Sequence, residues 1–166
     1  MPPDFSVSDS LFRHLRSTIP GIPPGDLRAH YAGFAAVSGA AILEVQVKRA
    51  LKDFCAKKNR IFGVFAESHF DRINGRIRLG NLKEDYISSF GEKYKRRWSK
   101  RLEEMEKRNL LSTGRSMKSS YSNLITWRNE FAHTGQPLAY ATFEEVAEAY
   151  EDSKLVAQVF CGTLSR

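Results

Sequence analysis

Apolar positions along the chain recur at steps of three and four, the spacing of amphipathic helices, and Pro- and Gly-rich breaks separate the stretches. The segment Ile19-Pro20-Gly21-Ile22-Pro23-Pro24-Gly25 must interrupt any helix. A short helix is predicted before it, Asp9 to Ser17, with Ser8 as its cap. After it, Asp26 is placed to cap a long helix reaching about Lys58, with Leu27, Tyr31, Phe34, Ala35, Ile42, Val45, Leu51 and Phe54 among its apolar residues. The small residues between Ala32 and Ala41 let another backbone come close, which suits the central helix of a bundle. Residues 59–80 break the pattern. They are predicted to be irregular or to form short helical turns, with Phe62, Val64, Phe65, Phe70, Ile73 and Ile77 packed as a flap over the bundle. A strand is the open alternative there.

Further along, Asn81 can cap a helix from Leu82 to Ser89, and Gly91 interrupts it. A charged helix from Glu92 to Leu110 carries Tyr94, Trp98, Leu102 and Met105 on one stripe. After the break at Ser112-Thr113-Gly114, Ser116 or Lys118 opens a helix through Tyr121, Leu124, Ile125 and Phe131. Gly135 and Pro137 stop it. Thr142 and Glu145 fit a capping box for the last helix, whose inner face holds Val146, Ala149, Tyr150, Ser153, Val156, Ala157 and Phe160. The pattern predicts an all-α, up-and-down bundle of four to five main helices with a short irregular insertion. The length of 166 residues fits one domain, 1–166, with 1–25 as an N-terminal extension and 26–163 as the bundle.

Composition refines this picture in a few places. The longest mainly apolar run, Tyr31 to Val47, contains Ser38, Glu44 and Gln46 and is too polar for a membrane span, so no membrane association is expected. The start, Met1-Pro2-Pro3-Asp4, has no signal-peptide character. Cys55 and Cys161 lie in helical apolar contexts and are expected to be reduced, which fits a cytoplasmic protein. No Cys/His cluster has zinc-site spacing, and neither a metal nor another cofactor is expected. The net charge of +7 favours an anionic partner, nucleic acid above all. Lys93, Lys95, Arg96, Arg97, Lys100 and Arg101 fall within nine residues, interleaved with Tyr94 and Trp98. They are predicted to contact an RNA backbone, with Tyr94 or Trp98 stacking a base. The alternative is a solvated helix face with Trp98 in the core.

Candidate chemistry concentrates at the end of the penultimate helix. Asn129 and His133 are four apart and share a face, with Arg128 at the edge of the same region. His133 sits in the last turn, where the helix dipole favours imidazolium. An arginine can hold phosphate oxygens bidentately and stabilise transition-state charge. A histidine can move protons near neutral pH. Arginine and histidine also gather at helix C-termini for dipole reasons alone, so spacing leaves both roles open.

The stretch Trp127-Arg128-Asn129-Glu130-Phe131-Ala132-His133-Thr134-Gly135 resembles the signature of the HEPN superfamily, an Arg, a polar residue and then a His at the end of a bundle helix, often written RN-x-x-AH-x-G. The helix order from about residue 26 to 163 is similar as well, and the stand-alone RiboL-PSP and related domains of bacterial defence and toxin systems are the nearest in character. The resemblance implies a metal-independent endoribonuclease in which a ribose 2′-hydroxyl attacks the adjacent phosphate, leaving a 2′,3′-cyclic phosphate and a 5′-hydroxyl. It assigns acid–base work to His133, phosphate stabilisation to Arg128 and orientation to Asn129. It also implies a homodimer with a composite active site, and a possible antitoxin or defence-system partner protein. A non-catalytic HEPN-type module that binds RNA or protein is the second reading. Several HEPN groups carry an acidic residue on the long early helix, which makes Glu44 a further catalytic candidate and Arg128 its obvious partner if it faces inward. Some HEPN toxins carry a tyrosine two residues after the histidine, modified by a partner enzyme; Gly135 stands there in this chain.

Overall fold

The structure is a computed structural model and describes residues 2–165. Among these residues there are six α-helices and no strand: α1 (Ser6–Thr18), α2 (Asp26–Lys58), α3 (Arg60–Phe70), α4 (Glu92–Thr113), α5 (Met117–Thr134) and α6 (Phe143–Leu164). A π-helical segment, Asn81–Ile87, and a 3-10 turn, Ser88–Phe90, join α3 to α4. The all-α expectation holds. The strand alternative for 59–80 does not, because Asn59 accepts from the backbone N–H groups of Ile61 and Phe62 and starts α3 as a regular helix. Gly63 and the β-branched Ile61 and Val64 lower its intrinsic propensity, which hid this helix from the pattern. No helix among the described residues is long and apolar enough to cross a membrane.

α2 is the axis, packed against α6, α5 and α3, and α4 closes the bundle against α6. The first half of its buried face is made of small residues, with Ala32, Gly33, Ala35, Ala36, Gly39 and Ala40 all buried. Rings from neighbouring helices fill the space they leave. A Cβ on Gly33 would stand 2.0 Å from Phe131 Cδ2, and one on Gly39 would stand 3.0 Å from Tyr150 Cδ2. The larger apolar residues expected to line this helix divide differently. Leu51 and Phe54 are in the core, whereas Leu27, Phe34 and Val45 are exposed. The predicted flap divides in the same way: Phe70, Ile73 and Ile77 are buried, but Phe62, Val64 and Phe65 face solvent.

The helix ends follow local chemistry in most places. Ser116 accepts from Ser119 N–H at the start of α5, and the Thr142–Glu145 capping box forms at the start of α6. Gly135 adopts a left-handed conformation, φ 64°, and its N–H bonds Phe131 O. At the N-terminus the expected cap is wrong. Ser8 lies inside α1, buried, where its hydroxyl bonds Phe5 O and the Tyr150 hydroxyl. Phe12 stacks on Tyr150 with centroids 4.2 Å apart, so α1 belongs to the common core. Cys55 and Cys161 are both buried and free.

One buried charge ties α4, α5 and α6 together. The side chain of Asp152 is 3% exposed and accepts from Arg115 Nε at 2.9 Å, Ser120 Oγ at 2.8 Å and Asn109 Nδ2 at 3.2 Å. Burial pushes its pKa up, but the three donors and the Arg115 charge outweigh that and hold it below the usual aspartate value.

Two outcomes follow from this packing. Gly33→Ala is expected to lower unfolding free energy by about 1–3 kcal/mol in urea titration, because the clash with Phe131 exceeds the gain in helix propensity. Asp152→Ala is expected to cost about 3 kcal/mol, the lower end for a broken buried pair, because Arg115 still reaches water. The folded pKa of Asp152 is depressed, so its contribution is present above about pH 4 and is lost as pH falls through the folded value. Acid titration of the Asp152→Asn variant should lack that component; an unchanged acid limb contradicts the assignment.

Candidate functional site

The site begins with the register of α5 on α2. Tyr121, Leu124 and Ile125 bury one face of α5, and Arg128 continues that face toward the C-terminal end. Its side chain is 27% exposed and reaches Glu44 on α2, Nη2 to Oε2 at 3.8 Å. Arg128 Nη1 also donates to Asn129 Oδ1 at 2.7 Å. The expectation that an inward Glu44 pairs with Arg128 is met.

Glu44 does more than pair. With its side chain 15% exposed, Oε1 takes Lys48 Nζ at 2.9 Å and Oε2 accepts the Gly75 N–H at 2.8 Å. Lys48 Nζ also donates to Asn74 Oδ1 at 3.1 Å. One carboxylate therefore holds two cations and a loop amide, and the group keeps a net positive charge. Both Glu44 oxygens are engaged, and one of them holds the Arg128 guanidinium. The guanidinium has five N–H donors and spends only some of them here, leaving others for an oxyanion.

The loop between α3 and the π-helical segment packs onto this cluster. Ile73 and Ile77 anchor it in the core. Tyr121 donates its hydroxyl to Ile77 O at 2.6 Å, and Tyr86 donates to Arg76 O at 2.8 Å. Burial raises both phenols, Tyr86 to about 12 and Tyr121 further, so both stay protonated near neutral pH and act as pins. Gly75 sits at φ +73°, and a Cβ there would stand 3.0 Å from Arg128 Nη1. Lys48, Asn74 and Gly75 escaped the sequence reading. The Asn74-Gly75 dipeptide is itself a turn signal for positive φ, but nothing in the pattern linked that turn to α5.

His133 stands apart. It is exposed in the last turn of α5 and has no polar side-chain partner among the described residues. At 100° per residue it lies about 40° around the helix from Asn129 and about 140° from Arg128. Asn129 is the bridge, touching Arg128 and sharing the face of His133. Glu130 points elsewhere, accepting a hydrogen bond from Tyr140. His30, which had no partner readable from sequence, sits edge-on to Phe131 with centroids 6.0 Å apart.

The basic start of α4 is not at this site. Tyr94 packs on Phe54, ten residues beyond Glu44 and about 15 Å further along α2. Of the two roles open to Trp98, the structure takes the core: it is 1% exposed and edge-on to Phe160. Arg97 donates to Thr163 O, Arg101 packs over Gly162, and Lys95 pairs with Glu84 at 3.5 Å. Lys100 pairs loosely with Glu104 at 4.0 Å, while Lys93 and Arg96 are exposed.

Gly75→Ala is expected to push the Arg128 guanidinium off Asn129 and Glu44 while leaving the bundle folded. The strain of an alanine at positive φ costs about 1–2 kcal/mol. A crystal structure of the variant checks this: a displaced guanidinium is the expected result, and an unmoved one contradicts the contact.

The chain matches the sequence profile of the RiboL-PSP-HEPN family over residues 6–166. No curated protein and no solved structure gives a match. The matched span covers every helix that builds the site, from α1 to α6, and the chain belongs to the RiboL-PSP-HEPN family.

Proposed function

We propose that this protein is a metal-independent endoribonuclease of a bacterial defence or toxin–antitoxin type system, and that Arg128, Asn129 and His133 do its chemistry. HEPN domains are often ribonucleases or RNA-binding proteins. The observation that carries the proposal for this chain is the held guanidinium. Glu44 and Asn129 fix Arg128 with donors to spare, and an exposed histidine stands at the same helix end. In the proposed reaction the 2′-oxygen of one ribose bonds to the neighbouring phosphorus and loses its proton to a base. The bond from phosphorus to the 5′-oxygen breaks, and that oxygen takes a proton from an acid. The products are a 2′,3′-cyclic phosphate and a 5′-hydroxyl. Arg128 stabilises the phosphorane charge and His133 carries a proton.

In-line transfer needs both a base and an acid, and each chain supplies a single exposed histidine at this helix end. A second copy that brings its own motif across the cleft completes the site, hence a homodimer. In support, Leu27, Phe34 and Val45 leave an exposed apolar stripe on α2, about a quarter turn from Glu44. The exposed Lys93 and Arg96 at the start of α4 serve as secondary, long-range phosphate contacts.

The test is cleavage of RNA in EDTA with analysis of the new ends. The wild type is expected to leave cyclic phosphate termini. Arg128→Ala should lower the rate by about 10²–10³-fold, and His133→Ala by about 10²–10⁴-fold, with helical circular dichroism unchanged. Full activity in the His133 variant contradicts the assignment. RNA binding without cleavage by the wild type favours the non-catalytic module instead.

A further inference from the structure

We infer that the groove between α5 and the Arg78–Gly80 segment is the track that holds a single RNA strand beside the Arg128–His133 site, with Arg78 as its phosphate contact; this rests on the ribonuclease reading above. The groove has a volume of about 320 Å³ and is lined by Arg78, Leu79, Gly80, Ser122, Ile125 and Thr126, with Tyr121 at its floor.

Helix geometry connects it to the motif. Ser122, Thr126, Asn129 and His133 recur at steps of four, three and four, so they form one ridge along α5. That ridge runs about 17 Å from Ser122 to His133, room for more than one nucleotide. The groove therefore opens on the face that carries the proposed catalytic side chains.

The groove's chemistry suits a ribonucleotide. Arg78 is exposed, and its guanidinium has no hydrogen bond or ion pair among the described residues, unlike Arg76, which pairs with Asp85 at 3.0 Å. An unpaired cation beside a groove is free to bind phosphate. Ser122 Oγ and Thr126 Oγ1 each donate to a helix carbonyl, Lys118 O and Ser122 O, which leaves their lone pairs to accept from a base N–H. The half-buried Leu79, backed by the buried Ile125, offers an apolar surface for a base. The segment is held rigidly by Tyr121 bonding Ile77 O and by the burial of Ile77, so the groove is formed before RNA arrives. The occupant is single-stranded, because a groove of this volume, lined by side chains of one helix face and one short segment, takes an unstacked base rather than a duplex.

The test is binding of a short, mixed-sequence, 2′-O-methyl oligoribonucleotide, which cannot be cleaved, followed by fluorescence anisotropy across a salt series. Arg78→Ala is expected to weaken binding several-fold and reduce the salt slope by about 0.7, the loss of one phosphate contact on a single strand. Thr126→Trp, at an exposed helix position, is expected to block the groove and weaken binding at least as much, with circular dichroism confirming the fold. Lys93→Ala with Arg96→Ala should weaken binding less than either. Wild-type affinity in both groove variants overturns the inference, as does a larger loss in the α4 variant or no RNA binding by the wild type. Because the oligonucleotide is not cleaved, the groove is tested independently of the nuclease reading: a wild type that binds through Arg78 but does not cut natural RNA upholds the track and removes the enzyme.

Discussion

The Glu44 carboxylate is the constraint on which the rest of the site depends. It is mostly withdrawn from water, and it is tolerated there because Lys48, Arg128 and the Gly75 amide converge on its two oxygens. Each of those partners comes from a different part of the chain. α2 supplies the anion and the lysine, α5 the arginine, and the loop after α3 the amide. Register errors in α2 against α5 would separate them, and the small-residue face of α2 is what sets that register. Phe131 seated on Gly33 fixes the end of α5 just beyond Arg128, so core packing and site geometry are two consequences of one helix contact.

This arrangement also explains the division of labour along α5. The helix has a buried face that ends in Arg128 and an exposed ridge that ends in His133, and Asn129 lies between them. An arginine at the end of a buried face has few rotamers left and holds its fork still. A histidine on the exposed ridge stays accessible to a substrate or a second chain. A held cation and an accessible imidazole at one helix end suit the proposed phosphate chemistry, since charge stabilisation needs preorganisation and proton transfer needs access to the substrate.

Much of the fold was legible in the sequence because it is written in local terms. The capping box of Thr142 and Glu145, the Ser116 cap and the Gly135 stop each depend on residues a few positions apart. That Arg128, Asn129 and His133 gather at one helix end was legible for the same reason. What stayed hidden was tertiary. The small residues of α2 could be read as a close-packing face, but large apolar residues were expected inside along the whole helix, and Leu27, Phe34 and Val45 are left outside. α3 was obscured by a glycine that the chain needs for close packing, since a Cβ on Gly63 would stand 2.9 Å from Ala56 Cα. The Asn74-Gly75 turn was readable as a turn, yet its role as a clamp on Arg128 depends on a contact across more than fifty residues. The basic run at the start of α4 is dense in sequence, but half of it is occupied in holding α4 to its neighbours.

Whether Glu44 works through Arg128 can be read from a double-mutant cycle on RNA cleavage. Cleavage rates are measured for the wild type, Glu44→Gln, Arg128→Lys and the double variant. If Glu44 acts by positioning the guanidinium, Glu44→Gln slows the wild type but adds little to Arg128→Lys, which has already lost the fork. An equal further loss from Glu44→Gln in both backgrounds would contradict the account, because Glu44 would then act on the reaction by a route of its own.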